Sequence, residues 1–466
     1  MTATGINGNR SEAWDEQVDV VIVGAGEAGL AAAIESVDAG ATAIVFEKMG
    51  TVKSTSAAMS LGVFSFAGTE YQQRQGVQDS NDLFFKDMMN AGKWTNYEPL
   101  VKVFLAEQLD GYNWLTALGV KWFALRMFGG SSVPRGHETD PIEQLGILQE
   151  AAEKKGVRIL FRTKVTELLT DKDKRVIGVC AQSAEKALRV KARKGVVLAT
   201  GGFGYDTKRM AAIDPRLAKL KVVVSPGHTG DGHRMAETLG AFFRHMELAY
   251  IRPTIGIHLS SRSAKTALLA YWDGAIVVNK LGNRFVNESV ENRSIGTATL
   301  DQPDQVAYEI FDQKVFERLK RQGAGIGEAI TTRLIEAPTI DDLASKIGVP
   351  PHALNRTMDR YNDGVDKGKD PDFGRTHLAQ DVGAMTRIDT SPFFAYETSP
   401  WLPGTYGGVA VDEDMHVLTN EGIVRGLYGA GEIVGGFHGA GYHTGSALAK
   451  ALVFGRIAGR NCAAGR

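Results

Sequence analysis

Short runs of β-branched residues alternate with helical stretches over the first two hundred positions, the pattern of a parallel sheet covered on both faces. Val20-Val21-Ile22-Val23 is the first such run, and it ends in Gly24-Ala25-Gly26-Glu27-Ala28-Gly29. Leu30 to Val37 is rich in alanine and favours helix as far as Gly40, after which Ala43-Ile44-Val45-Phe46-Glu47 reads as a second strand. Strand, glycine turn, helix and strand form a βαβ unit. Further on, Phe84 and Met88, then Val101, Phe104, Leu105, Tyr112 and Leu115, keep helical spacing between Asn81 and Leu118, interrupted by Gln108. The stretch from Gly129 to Gly136 has loop composition, and Leu145 to Lys154 reads as helix. Val157 to Phe161 reads as a strand, and Val165–Leu169 with Val176–Val179 as a hairpin. Another apolar run, Gly195 to Thr200, feeds into Gly201-Gly202 and returns the chain to the sheet.

The texture changes near position 247. A strand at Ala275–Val278 and charged helical stretches at Val315–Arg321 and Leu354–Tyr361 predict an inserted second unit. The expected division is 1–246, 247–404 and 405–466. Composition narrows the class. The chain has 466 residues with 54 Gly and 14 Pro, and Lys plus Arg (53) nearly cancels Asp plus Glu (54). Two to three domains are expected, with no charge surplus to attract nucleic acid or an anionic membrane. Cys180 and Cys462 cannot supply a disulfide framework or a protein-bound iron–sulfur cluster, and no C-x-x-C-H haem signature occurs. Polar residues from Met1 to Gln17 and the lack of a long apolar run predict a soluble, cytoplasmic protein without membrane insertion. The glycine excess is uneven, with 14 Gly in the 56 residues from Gly404 to Gly459. This density reads as backbone approaching a ligand closely.

Gly24-x-Gly26-x-x-Gly29 follows a strand and opens a helix, and Glu47 stands 18 residues after Gly29 at the end of the next strand. That arrangement suits a dinucleotide: glycines let the backbone approach the pyrophosphate, the helix N-terminus offers N–H donors, and the carboxylate accepts from a ribose hydroxyl. No Gly-x-Ser-x-Gly elbow, P-loop or metal-spaced histidine pattern competes with it. In the tail, Gly426-Leu427-Tyr428-Gly429-Ala430-Gly431-Glu432 resembles the second flavin signature of the two-dinucleotide-binding flavoproteins. Gly439 to Gly445 then leads into a helical stretch from Ser446 whose positive end would favour negative charge on a reduced flavin.

With these motifs the whole chain resembles the fumarate reductase/succinate dehydrogenase flavoprotein family. The segments Thr163-Lys164-Val165-Thr166, Leu198 to Gly204 and Thr229-Gly230-Asp231-Gly232 match its pattern as well. The resemblance implies an α/β fold, a Rossmann-like FAD-binding domain of glutathione-reductase type interrupted by an α+β capping domain. It implies FAD held at Gly24, Gly26, Ala28, Gly29, Glu47 and Lys48, at Ser54, Thr55 and Ser56, and at Val165. It adds Thr200, Gly201, Gly202 and Asp231, then Gly431 and Glu432, and finally Ser446, Ala447 and Leu448.

The departures from the family pattern are informative. Thr55 stands where the membrane respiratory members carry the histidine that bonds covalently to FAD, so non-covalent FAD is expected. The family's dicarboxylate-binding histidine is replaced by Gly404, before Thr405-Tyr406-Gly407-Gly408, and its carboxylate-binding arginine by Tyr442, after His438-Gly-Ala-Gly441. A site without these anchors suits fumarate or succinate poorly. Gly441-Tyr442-His443-Thr444-Gly445 resembles instead the Gly-Tyr-x-Ser-Gly stretch of the ketosteroid 5α-dehydrogenase branch.

The expected reaction is therefore FAD-dependent introduction of a C=C bond beside the carbonyl of a cyclic ketone. The alternative is reduction of an activated alkene or unsaturated acid with Arg293 as proton donor, and a third reading is a flavin-binding redox sensor without turnover. Tyr442 is the first candidate for acid–base work or carbonyl polarisation, or else it only packs beside the cofactor; Tyr271 and His443 are possible helpers. Arg293 follows Gly282 to Glu288, one residue off the family's spacing, and is either the catalytic arginine or a surface one. Thr444, Tyr406 and Arg252 are expected substrate contacts, Arg252 alternatively pairing with a carboxylate of the inserted unit. A small-molecule substrate and a separate electron donor or acceptor are the expected partners.

Overall fold

The computed structural model describes residues 13–247, 253–258, 260, 267–290, 292–321, 331–378 and 383–466. Five parallel strands form the spine of an eight-stranded sheet: β1 (Glu16–Val23), β2 (Ala43–Phe46), β3 (Arg158–Leu160), β4 (Ala187–Leu198) and β5 (Gly422–Gly429). Their spatial order is β5-β4-β1-β2-β3, with His416–Thr419 antiparallel on the β5 edge. Val20 to Val23 lie opposite Ala43 to Phe46, and Val20, Val21, Ile22 and Val45 are wholly buried, as β-branched runs covered on both faces require. The expected hairpin forms from Lys164–Thr170 and Val176–Gln182 and continues antiparallel onto β4.

The helix α1 (Glu27–Asp38) crosses the C-terminal helix, Ser446–Ala464, at close range. A Cβ on Gly455 or Gly459 would stand 2.3 Å from the carbonyl oxygens of Ala28 and Ala32. Those two glycines therefore serve helix packing, not ligand approach. The helical spacing from Asn81 onward resolves into two helices, Asn81–Ala91 and Glu98–Ala117, because Gly92 ends the first and Lys93 and Trp94 take φ of +55° and +56°. Gln108 interrupts the apolar face for a local reason: its amide bonds both the N–H and the carbonyl of Ala67, at 2.9 and 3.0 Å.

A second, antiparallel sheet lies between the two halves of the first in sequence. Its strands run in the order Ile276–Asn279, Ala307–Asp312, Phe393–Thr398 and Ile335–Ala337. Side chains alternate between two apolar cores, Ile276, Val278 and Ile310 entering one, Val277, Phe311 and Phe394 the other. Buried charge is balanced nearby, where the Arg284 guanidinium bridges Glu288 and Asp370, and Arg375 donates to the carbonyls of Ala275 and Tyr271. That network holds the turn from which Trp272 reaches the cavity described next.

Candidate active site

The carboxyl ends of the parallel strands converge on one cavity of about 600 Å³. Gly24, Gly26 and Ala28 reach it after β1, Glu47 and Lys48 after β2, Val165 after β3, Thr200 and Gly201 after β4, and Gly431 and Glu432 after β5. At this end the shape is set by backbone. Gly24 has φ of +109°, and a Cβ there would lie 2.3 Å from the Ala199 carbonyl oxygen; on Gly29 it would lie 1.8 Å from that of Gly24. Gly26 differs, since a Cβ there would meet nothing within 4 Å and would project into the cavity space its backbone now faces.

The Glu47 carboxylate is fixed beside the turn by the N–H groups of Ala25 (2.8 Å) and Met49 (2.7 Å). Both α1 and the C-terminal helix begin without a side-chain cap, and Ala28, Ala447 and Leu448 of their first turns line the cavity. Uncapped helix N-termini favour anionic groups. Burial alone would raise the Asp231 carboxyl, but bonds from Lys48 (2.6 Å) and Lys164 (3.0 Å) outweigh it and hold its pKa at about 2. An open glycine, a pinned carboxylate and two uncapped helix ends fit a dinucleotide such as FAD. Thr55 lines the cavity with its hydroxyl donating to the Val52 carbonyl, and it offers no imidazole for a covalent link.

The other end is built from side chains. Arg293, on the helix Asn292–Leu300, donates from Nη2 to the Tyr406 hydroxyl. Its guanidinium carbon lies 5.0 Å from the ring centres of both Tyr406 and Tyr442. Those two rings stack at 5.2 Å with an interplanar angle of 3°. His438 completes the group, 4.7 Å from the Tyr406 ring and 5.4 Å from that of Tyr442. Trp272 donates to the side chain of Asn292, which precedes Arg293, and with Leu269, Val290 and Trp401 it gives the cavity an apolar wall.

Burial sets the protonation states here. It raises the Tyr442 phenol, with the charge of Arg293 only partly offsetting it. Burial pushes the His438 imidazole well below its ordinary range, so it is neutral. Lys450 is lowered to about 8 by burial, its Nζ bonded to the Val434 carbonyl at 3.2 Å. The Glu432 carboxyl, which burial would raise, is instead held low by His228 Nε2 at 2.8 Å.

Of the residues predicted from sequence, Arg293, Tyr406, Tyr442 and Thr444 come together at this end, and Ser56 joins Thr55 along the wall. Others are placed elsewhere. His443 is buried away from the cavity, with Nε2 3.1 Å from the Ser131 hydroxyl beside Arg135, and burial takes its pKa to about 3. Arg135 is itself paired with Asp79 and Asp87, so His443 belongs to a structural cluster and cannot assist Tyr442. Tyr271 sits in the core of the second sheet, and its neighbour Trp272 faces the cavity in its stead. Gly29 closes the turn, and Gly202 makes room for Thr405 and His228. The Ser446 hydroxyl folds back to the His443 carbonyl at 2.6 Å, and Ser54 ends a short 3₁₀ turn; neither lines the cavity. Arg252 lies outside the described residues. In the glycine-rich tail only Gly404, Gly431 and Gly445 line the cavity, whereas Gly407, Gly408 and Gly435 relieve backbone crowding.

Sequence reasoning missed Glu27, His228, His438 and Lys450. Lys450 left a readable signal, a lone cation in the Ala- and Leu-rich start of the last helix. His438 left none beyond its place in a glycine-rich loop.

The family model described as FAD binding domain matches residues 19–448. The fumarate reductase (cytochrome) of Shewanella frigidimarina is 34% identical, over 96% of this chain and 77% of the relative. The acrylate reductase flavoprotein subunit of Shewanella woodyi is 30% identical, over 96% of this chain and 91% of the relative. Among solved structures, the 3-ketosteroid-Δ4-(5α)-dehydrogenase of Rhodococcus jostii RHA1, in complex with 4-androstene-3,17-dione, aligns with a TM-score of 0.79 and 29% identity, over 97% of this chain and 98% of that one. A glycine turn, a carboxylate-pinned second strand and a capped cavity thus meet an alignment that spans nearly the whole sequence: the chain belongs to the fumarate reductase/succinate dehydrogenase flavoprotein family and is an FAD-dependent oxidoreductase acting on CH–CH bonds.

Proposed function

We propose that this protein reduces an activated alkene whose double bond is conjugated to a single carbonyl or carboxyl group. The carrying observation is the Arg293–Tyr406–Tyr442 cluster at the apolar end of the cavity. The chemistry FAD supplies when bound is hydride exchange with one substrate carbon. The chain must then give a proton to the neighbouring carbon and hold the activating carbonyl. Arg293 faces the cavity with N–H donors, and the Tyr406 hydroxyl bonded to it is the next group in a proton path. Tyr442, kept protonated by burial, donates to a carbonyl and does not abstract a proton, which favours the reductive direction. The fumarate and acrylate reductases among the relatives support the same direction. Gly404 and Tyr442 replace the family's two carboxylate anchors, so a dicarboxylate is a poor substrate. A separate donor supplies the electrons.

A second reading, dehydrogenation of a cyclic ketone, draws on the Gly-Tyr-x-Thr-Gly stretch and on the likeness to the ketosteroid dehydrogenase. In that direction neutral His438, beside Tyr442, is the available base.

Anaerobic photoreduction of the holoprotein followed by mixing with acrylate, 2-cyclohexenone or fumarate separates the readings. Return of the oxidised flavin absorbance is expected with the single-carbonyl alkenes and to be at least tenfold slower with fumarate. Fumarate as the fastest oxidant would overturn the proposal. Bleaching of the oxidised protein by cyclohexanone or a 3-ketosteroid, with no alkene reoxidising it, would establish the second reading.

A further inference from the structure

The nucleotide end of the cavity holds a carboxyl group that the dinucleotide fingerprint does not require. Glu27 fills a variable position of that fingerprint and is the first residue of α1. It lines the cavity yet is only 2% exposed. Its Oε1 accepts from the Gln144 side-chain amide at 3.1 Å, while its buried Oε2 has no hydrogen-bond partner. The helix end that carries Glu27 is the one that favours a pyrophosphate. An ionised carboxylate there would repel that group in a water-poor site, whereas a carboxylic acid would offer it a hydrogen bond.

We propose that Glu27 binds FAD as a neutral carboxylic acid, its Oε2–H donating to an anionic oxygen of the FAD pyrophosphate, so that cofactor affinity is set by one proton on this side chain. Burial raises the Glu27 carboxyl from 4.5 to about 8, tempered only by the Gln144 amide. The charged groups on the surrounding elements have other partners. After β2, Glu47 takes the amides of Ala25 and Met49, and Lys48 is bonded to Asp231 and Thr229. In the turn after β5, Glu432 faces His228. On the C-terminal helix Lys450 donates to Val434, and on the helix Pro141–Lys154 the titratable Glu143, next to Gln144, is exposed.

A carboxyl raised on folding is protonated in both the native and unfolded states at low pH. It costs stability as pH climbs from 4.5 towards 8, and above 8 it ionises in the native protein too. FAD, binding the protonated form, must then take up a proton. Deflavinated protein titrated with FAD, followed by quenching of flavin fluorescence between pH 6 and 9.5, should show a constant Kd at the acid end. Above about pH 8 the Kd should rise, approaching tenfold per pH unit. Binding at pH 9 in weak buffer with a pH indicator should take up close to one proton per FAD. E27Q, which keeps an N–H donor at every pH, should bind with a flat profile and take up none. A Kd that is constant across the range in the wild type, or the absence of proton uptake, would overturn the proposal without recourse to any variant. A slope that persists in E27Q would overturn it too and assign the proton to Lys450, whose loss of charge near pH 8 acts in the same direction.

Discussion

Gly24 and Arg293 line the same cavity but are held there in unlike ways. Gly24 is fixed by neighbours within a few residues and by the carbonyl of Ala199, backbone against backbone. Arg293 is positioned by Tyr406, 113 residues further along the chain, and by Tyr442 beyond it. At Gly24 and Gly29 the first end has no room for variation, because a Cβ there would stand where a backbone oxygen already lies. The second end can exchange side chains while the fold persists. Recognition of the cofactor therefore rests on backbone shape, and the opposite end of the cavity on side chains.

The sharpest way to break that contrast is at the turn. Gly29→Ala forces a Cβ to within 1.8 Å of the Gly24 oxygen, so the strand-to-helix turn must open. A loss of about 3 kcal/mol in stability is expected, with purified protein lacking bound flavin. Flavin content and thermal melting check it, and a yellow, normally stable variant would show that the turn is not the rigid element. At the other end Arg293→Gln should leave flavin content unchanged but lower turnover of the preferred alkene by roughly 10²- to 10⁴-fold, the range for loss of a positioned proton donor. Stopped-flow reoxidation of the reduced protein measures this, and an unaltered rate would remove Arg293 from the chemistry. The smallest change is expected for Tyr442→Phe. Losing one hydrogen bond to the carbonyl should cost about 1 kcal/mol, or roughly fivefold in kcat/KM. A loss as large as that of Arg293→Gln would instead make Tyr442 the proton donor.

The regions legible in the sequence were those whose causes are local. Val20 to Val23 reads as a buried strand because β-branching and burial act residue by residue, and the glycine turn reads as a turn because positive φ at Gly24 is a property of that residue. The crowded tail was harder. Its glycine density suggested a ligand cradle throughout, yet Gly455 and Gly459 answer to Ala28 and Ala32 of a helix some four hundred residues earlier. His443 and His438 are five residues apart in similar surroundings of glycine, but one turns to Arg135 and Ser131 and the other to the stacked tyrosines. Sequence could not tell them apart, since the difference lies in which distant element fills the space beside each ring.

What the sequence alone determined is the cofactor class and the parallel sheet that carries it, because alternating strand and helix patterns and a six-residue glycine turn encode their own geometry. Only the tertiary structure decided which polar groups face the cavity. Arg293, Tyr406 and the His438–Tyr442 loop come from three separate stretches and meet where residues of the inserted unit close one end of the cavity. Burial in that closure, a property of the assembled molecule, then fixes their protonation states.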